Sequence, residues 1–150
     1  VIVKLERNDQ VPMDLLLLAD PSQKMIERYL DRSTCLAMVK ENEIVGVCVL
    51  IETRPLTMEI VNIAVREKEQ GKGNGKKLIE HATDYAKTKG FRRLEVCTGN
   101  SSILQLGFYQ KCGFSMTGID KGYFIDHYAE PIFENGIQCR DRIRFAKRLS

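Results

Sequence analysis

The mostly apolar, β-rich run from Val1 to Leu5 predicts a first strand. Met13 to Ala19 and Gln23 to Asp31 change to helical spacing. Between them, Asp20-Pro21-Ser22 suits the end of one helix and the start of another. Cys35 to Lys40 and Ile44 to Thr53 are β-rich runs around the polar turn Glu41-Asn42-Glu43, and Arg54-Pro55 separates the second run from Met58 to Val65. These runs predict a three-stranded antiparallel meander. From Lys76 the apolar residues Leu78, Ile79, Ala82, Tyr85 and Ala86 recur on one helix face, and Gly90 follows as a stop. Leu94 to Thr98 reads as a strand, Ser102 to Cys112 as a helix ended by Gly113, Phe114 to Asp120 as a strand, and Ile137 to Leu149 as a long last strand. The order β-α-α-β-β-β-α-β-α-β-β predicts an α/β fold, a mixed sheet with helices on both faces. No linker or repeat divides the chain, so residues 1–150 read as a single domain.

Composition narrows the classes. The 43% hydrophobic and 29% charged fractions are those of an ordinary globular protein. The longest apolar runs, Leu15 to Ala19 and Ile44 to Ile51, fall far short of the roughly 20 residues a membrane span needs. The first residues, Val1 to Arg7, lack the order of a signal peptide. Five cysteines, Cys35, Cys48, Cys97, Cys112 and Cys139, form no CxxC pair, and they read as buried reduced thiols of a cytoplasmic protein. His81 and His127 have no metal-like spacing, so no metal is expected. A formal charge of +3 is too mild to argue for nucleic acid. Its local concentration at Arg140, Arg142, Arg144, Lys147 and Arg148 reads as the solvated face of an edge strand, where charge discourages edge pairing.

The segment Gln70-Gly71-Lys72-Gly73-Asn74-Gly75-Lys76-Lys77 lies between a strand and a helix. Alternate glycines let the backbone curl, and a helix N-terminus presents unpaired N–H groups to an anion, phosphate above all. Two look-alikes fail. A Walker A loop needs four residues between Gly and Gly-Lys-Ser/Thr, whereas Gly71 and Gly75 enclose three, and a dinucleotide fingerprint from Gly71 needs Gly where Lys76 stands.

At these residues the chain resembles the GNAT superfamily of acetyl-CoA-dependent N-acetyltransferases. Gln70, Gly73 and Gly75 match the family's phosphate signature in register, Asn62-Ile63-Ala64-Val65 resembles its fourth strand, and Tyr109-Gln-Lys-Cys-Gly113-Phe114 resembles its Tyr-x-x-x-Gly-Phe segment. The resemblance implies a mixed, mostly antiparallel sheet splayed between strands four and five. It implies acetyl-CoA as cosubstrate, its pantetheine arm on the strand segment Ile63, Ala64 and Val65, and its pyrophosphate on Gly71, Lys72, Gly73, Asn74, Gly75 and Lys76 beside Gln70. It also places Tyr109 as the acid beside the sulfur. Many relatives carry a coenzyme-binding Asn seven residues before that tyrosine. Here the position is Ser102, and Asn100 stands nine before; with two extra residues absorbed at the helix start the resemblance gives Asn100 the coenzyme-binding role, and Ser102 is the alternative as a plain N-cap.

Transfer from a thioester to an amine needs the amine neutral. For an amine of pKa about 10.4, deprotonation at pH 7 costs about 4.6 kcal/mol, so a base is useful. Two strand carboxylates, Glu59 and Glu95, compete for that role. Cys97 and Cys112, the rival nucleophiles, have no paired histidine, which favours direct transfer over a covalent intermediate. The stretch from Lys121 to Gly136 is long for a connection, and its Tyr123, Phe124, Tyr128 and Phe133 read as core cover or interface ahead of an acceptor pocket. A small-molecule or peptide amine is the expected partner, and a homodimer stays open. From another class, a non-catalytic acyl-CoA-binding or regulatory module shares the same loop.

Overall fold

The computed structural model describes residues 1–6 and 9–149. Its strands are β1 (Ile2–Lys4), β2 (Thr34–Lys40), β3 (Glu43–Arg54), β4 (Thr57–Val65), β5 (Arg93–Gly99), β6 (Ser115–Asp120), β7 (Ile132–Glu134), β8 (Ile137–Cys139) and β9 (Arg142–Arg148). Its helices are α1 (Met13–Leu16), α2 (Gln23–Leu30), α3 (Asn74–Thr88), α4 (Ile103–Lys111) and α5 (Tyr123–His127). Seven strands make one sheet in the order β1-β2-β3-β4-β5-β9-β6, and β7 and β8 form a separate hairpin.

The meander is present as expected. Glu41 and Asn42 take positive φ in the two-residue turn between Lys40 and Glu43, a backbone matched to the twist of the strands on either side. In β4 the partners on β3 slip between Asn62 and Ile60, a bulge at Val61. Met58 and Ile60 before the bulge and Ile63 after it therefore all reach the core under α3, while Val61 and Ala64 pack on the opposite face. One core holds Leu78, Ile79, Ala82, Tyr109, Leu94 and Phe145 beneath α3 and α4; the other holds Leu15, Leu16, Ile26 and Tyr29 of α1 and α2 against Val47, Val49 and Ala64. Helices thus cover both faces of a mixed, mostly antiparallel sheet.

The one parallel pairing decides where a ligand fits. β4 and β5 pair only from Thr57 to Ile60 against Arg93 to Val96. Beyond Ile60, β4 stays with β3 as far as Val65, and beyond Val96, β5 stays with β9 as far as Gly99. The sheet therefore opens into a notch at the carboxyl end of β4, where the glycine segment begins.

Three expectations change. The single last strand is two strands, β8 and β9, because Arg140 and Asp141 turn outward and bond to the Asn100 side chain. α5 and β7 arise within the stretch read as a long loop, and β7 pairs with β8 across Asn135 and Gly136, which both take positive φ in the two-residue turn that Asn-Gly favours. Most consequentially, β9 is not an edge strand. It lies between β5 and β6, so its arginines stand on the sheet face beside two neighbouring strands and not at an edge, Arg142 part-buried and Arg144 exposed.

Candidate active site

The glycine segment folds as a cradle. Gly71 and Gly73 have φ of +75° and +80°, which a side chain resists, and Gly73 is the N-cap of α3. No side chain caps that helix, and Lys77 is the first amide bonded back to Gly73, which leaves the N–H groups of Asn74, Gly75 and Lys76 free. A Cβ built on Gly73 meets nothing within 4 Å, so the space before these amides is open. Gly75 has another reason: its Cβ would press on the Phe108 ring at 3.3 Å, where α4 crosses α3. The remaining residues hold the loop in shape. Asn74 Nδ2 donates to the Glu69 carbonyl at 2.9 Å, Gln70 Nε2 donates to the Val65 carbonyl at 2.9 Å, and Lys72 lies 3.7 Å from Glu69.

The notch continues from this cradle. Arg66 N–H donates to the Val45 carbonyl, so by ladder alternation the main-chain groups of Val65 and Ile63 point away from β3 into the opening. The Val65 carbonyl is taken by Gln70; the Ile63 amide and carbonyl and the Val65 amide face the gap. Ala64 differs from the expectation: the same alternation turns its main chain toward β3, where its partner is Val47, and its side chain lies in the core under α1 and α2.

Tyr109 is 4% exposed and sits among Phe108, Phe114 and Phe145, with ring centroids 5.5 to 6.0 Å away. Burial, with Cys48, Cys112 and Cys97 behind it, pushes its hydroxyl well above the usual tyrosine range, so it stays protonated. Among the described residues the hydroxyl has no hydrogen-bond partner. Asn62 Oδ1 is the one fully enclosed polar atom in that condition, so the tyrosine oxygen is not sealed off.

The carboxylates lie on the other face of the sheet. Leu94 and Val96 of β5 point to the α3 core, which sends Glu95 and Cys97 to the α1 and α2 side, and Glu59 is the register partner of Glu95. Arg54 and Arg93 both hold Glu95 Oε2 at 2.6 Å. Burial opposes the Glu95 charge, but those two hydrogen bonds outweigh it and keep the carboxyl below its usual range. Glu59 has no ion pair among the described residues, and burial raises it despite the nearby Arg142. A cleft of about 270 Å³ opens over Glu59, Glu95, Cys97, Asp120, Arg142 and Arg144. A wider one of about 440 Å³ at the starting ends of β4 and β5 has no carboxylate in its lining and offers no base. Burial and the neighbouring Glu59 push the Cys97 thiol up to about 12, which makes it a poor nucleophile at neutral pH.

Two helix-start residues have other partners. Asn100 accepts from the amides of Arg140 and Asp141 and donates to the Gln138 carbonyl, so it ties the β5 end to β8 and β9. Ser102 occupies the N-cap position of α4, yet its hydroxyl donates to Glu134 at 2.9 Å instead of capping the helix. Asn100, Ser101 and Ser102 are thus engaged by the β7–β8 hairpin, so the Asn100 side chain expected at the coenzyme is bonded to Gln138, Arg140 and Asp141 instead. In the aromatic stretch, Tyr128 donates to Asp20 at 2.9 Å and Tyr123 covers Arg142, whereas Phe133 is exposed. Arg142, Arg144 and Asp120 were not singled out by sequence reasoning as site residues. Their signal was the alternation Arg142-Ile143-Arg144-Phe145, which fits a buried strand with one polar face as well as an edge.

Comparison with known proteins bears on this arrangement. The model of the acetyltransferase (GNAT) family matches residues 6–114. The uncharacterised N-acetyltransferase YvbK of Bacillus subtilis (strain 168) is 54% identical over 139 residues, 93% of this chain and 89% of that protein. An IAA acetyltransferase from Bacillus cereus superposes with a TM-score of 0.95 at 53% identity, covering 99% of both chains. A GNAT family acetyltransferase from Elizabethkingia anophelis, solved with acetyl-CoA bound, gives a TM-score of 0.96 at 44% identity over 99% of this chain and 97% of that one.

Proposed function

The chain belongs to the acetyltransferase (GNAT) family, and on that premise we propose that it moves an acetyl group from acetyl-CoA directly to a primary amine, with Glu59 as base and Tyr109 as acid. The observation that carries this reading is the notch between β4 and β5 opening onto the uncapped start of α3. The residues present fit the coenzyme. Open space before Gly73, three free amides and the notch-facing groups of Ile63 and Val65 suit a pyrophosphate followed by an amide-bearing arm.

Acetyl-CoA supplies a thioester: its acetyl carbon forms a bond to nitrogen, its bond to sulfur breaks, one proton leaves the nitrogen and one reaches the sulfur. Glu59, unpaired and raised by burial, is the better proton acceptor of the two carboxylates. Glu95 is held as an anion by two arginines and serves the site by fixing them. Tyr109 keeps its proton at Oη on the α4 side of the sheet. Base and acid thus lie on opposite faces of the sheet.

Five free cysteines support a reducing, cytoplasmic setting, and among the described residues no helix is long and apolar enough to cross a membrane. One sheet with a core on each face supports a single domain. The exposed apolar Phe133, Met116 and Ile119 suit a homodimer contact. Thiol release from acetyl-CoA over a panel of amines tests the reading. Turnover that requires both substrates supports it; coenzyme binding without turnover of any amine, including amino acids, favours a non-catalytic acyl-CoA module.

A further inference from the structure

On the sheet face below α1 and α2, two arginines share one carboxylate. Arg142 Nε donates to Asp120 Oδ2 at 2.8 Å, and Arg144 Nε lies 3.2 Å from Asp120 Oδ1. The register explains how. Asp120 is the cross-strand partner of Arg142, while Arg144 stands opposite Gly118 and reaches Asp120 across it. A Cβ on Gly118 would collide with the Arg144 guanidinium, and Gly118 does not have positive φ. Room for that guanidinium is therefore what the position requires. On the β5 side the neighbours are equally small, Cys97 opposite Arg144 and Gly99 opposite Arg142. The Tyr123 ring covers Arg142, with the guanidinium carbon 3.9 Å from the ring centroid.

Arg142 is thus held by an Nε hydrogen bond and Arg144 by an ion pair through Nε, and among the described residues their terminal Nη groups make no hydrogen bond. A guanidinium fixed by one edge presents the other as a planar pair of donors, the geometry that suits a carboxylate. Charge points the same way. Arg54, Arg142 and Arg144 line the cleft against Glu59, Glu95 and Asp120, and Arg93, outside the lining, places a second guanidinium on Glu95. With Glu95 and Asp120 each paired to two arginines, the fixed pairs carry more positive than negative charge, which favours an anionic guest in the concave site.

We propose that Arg142 and Arg144 bind a carboxylate on the acceptor, which makes the acceptor a small amphoteric amine, an amino acid or a molecule of that type, with its amine at Glu59. This rests on the acetyltransferase reading and names its substrate class. The cleft, about 270 Å³, is small for a ligand site, in keeping with an amino acid rather than a bulky guest. The coenzyme phosphates are not the guest, because the free amides that suit them start α3, on the opposite face of the sheet.

The test uses the purified protein with acetyl-CoA and matched acceptors: phenylalanine, tyrosine, histidine and methionine, each beside its carboxamide and the amine left by removing the carboxylate. The carboxamide keeps the amine electron-poor and removes only the charge. At least one amino acid is expected to exceed both of its analogues tenfold or more in kcat/KM. Arg144→Gln should cut that preference at least tenfold, and Gly118→Ala, which keeps the charge but unseats the guanidinium, should cut it too; thermal unfolding checks that both variants fold. Equal or better turnover of the uncharged analogues overturns the assignment. So does a preference that survives Arg144→Gln, or a loss in that variant confined to acetyl-CoA affinity by calorimetry. Turnover of no compound in the set, with acetyl-CoA still bound, also overturns it, and turnover of another amine from the broader panel then keeps the acetyltransferase reading. Failure to bind acetyl-CoA at all removes both.

Discussion

Glu59 and Glu95 are direct partners across the parallel pairing of β4 and β5, yet they are in opposite electrostatic states. Arg54 and Arg93 hold Glu95 below the usual carboxylate range, while Glu59 has no ion pair among the described residues and is raised by burial. Two carboxylates on adjacent strands are thereby split into a fixed anion and a group able to take a proton.

Glu59→Gln should lower kcat/KM on a true acceptor by about 10² to 10⁴-fold at neutral pH, the usual worth of a general base. Only ionised Glu59 accepts a proton, so activity should fall as pH drops through its raised pKa, above the ordinary 4.5. The rate profile of the wild type should show that acidic limb, and the Gln variant should lack it. A limb that persists in Glu59→Gln and vanishes in Glu95→Gln would move the base to Glu95.

Glu95→Gln acts first on stability. A carboxylate held below its unfolded value stabilises the fold above that value, and the gain is lost as pH falls through the folded pKa. The arginines are half exposed, so screening limits the effect to about 1 kcal/mol. Urea unfolding at pH 7 should show the deficit, and the two proteins should converge toward pH 3. Equal stability at pH 7 would show that the ion pairs contribute nothing net.

Tyr109→Phe removes a hydroxyl that has no partner among the described residues, so it leaves no orphaned group there and should change stability by no more than about 0.5 kcal/mol. If Tyr109 donates the proton to sulfur, kcat should fall by about 10² to 10⁴-fold while acetyl-CoA affinity holds. A loss below about threefold would make it a core tyrosine, since acid catalysis is worth far more.

Gly73→Val places a side chain in the open space before the α3 amides and strains a residue at φ +80°. The strain should cost roughly 1–2 kcal/mol of stability. Acetyl-CoA affinity by calorimetry should fall at least tenfold in the folded variant. Unchanged affinity would take the glycine segment out of the coenzyme site.

Local signals in the sequence determined most of the architecture. β-rich runs separated by polar turns gave the meander, the 3.6-residue spacing of Leu78, Ile79, Ala82 and Ala86 gave α3, and Ser22 capped α2 by accepting from the Met25 amide, as its position suggested. Gly71 and Gly73 were legible because positive φ is a property of the residue itself. The order of strands in the sheet is not local. Arg142 and Arg144 read as edge charges until β9 proved to lie between β5 and β6, and only that register brought them to Asp120 and Glu59. The choice between Glu59 and Glu95 was equally out of reach, because it depends on Arg54 and Arg93, one of them 41 residues away in the chain from the carboxylate it holds. Burial and charge pairing act through space, and spacing along the chain carries neither.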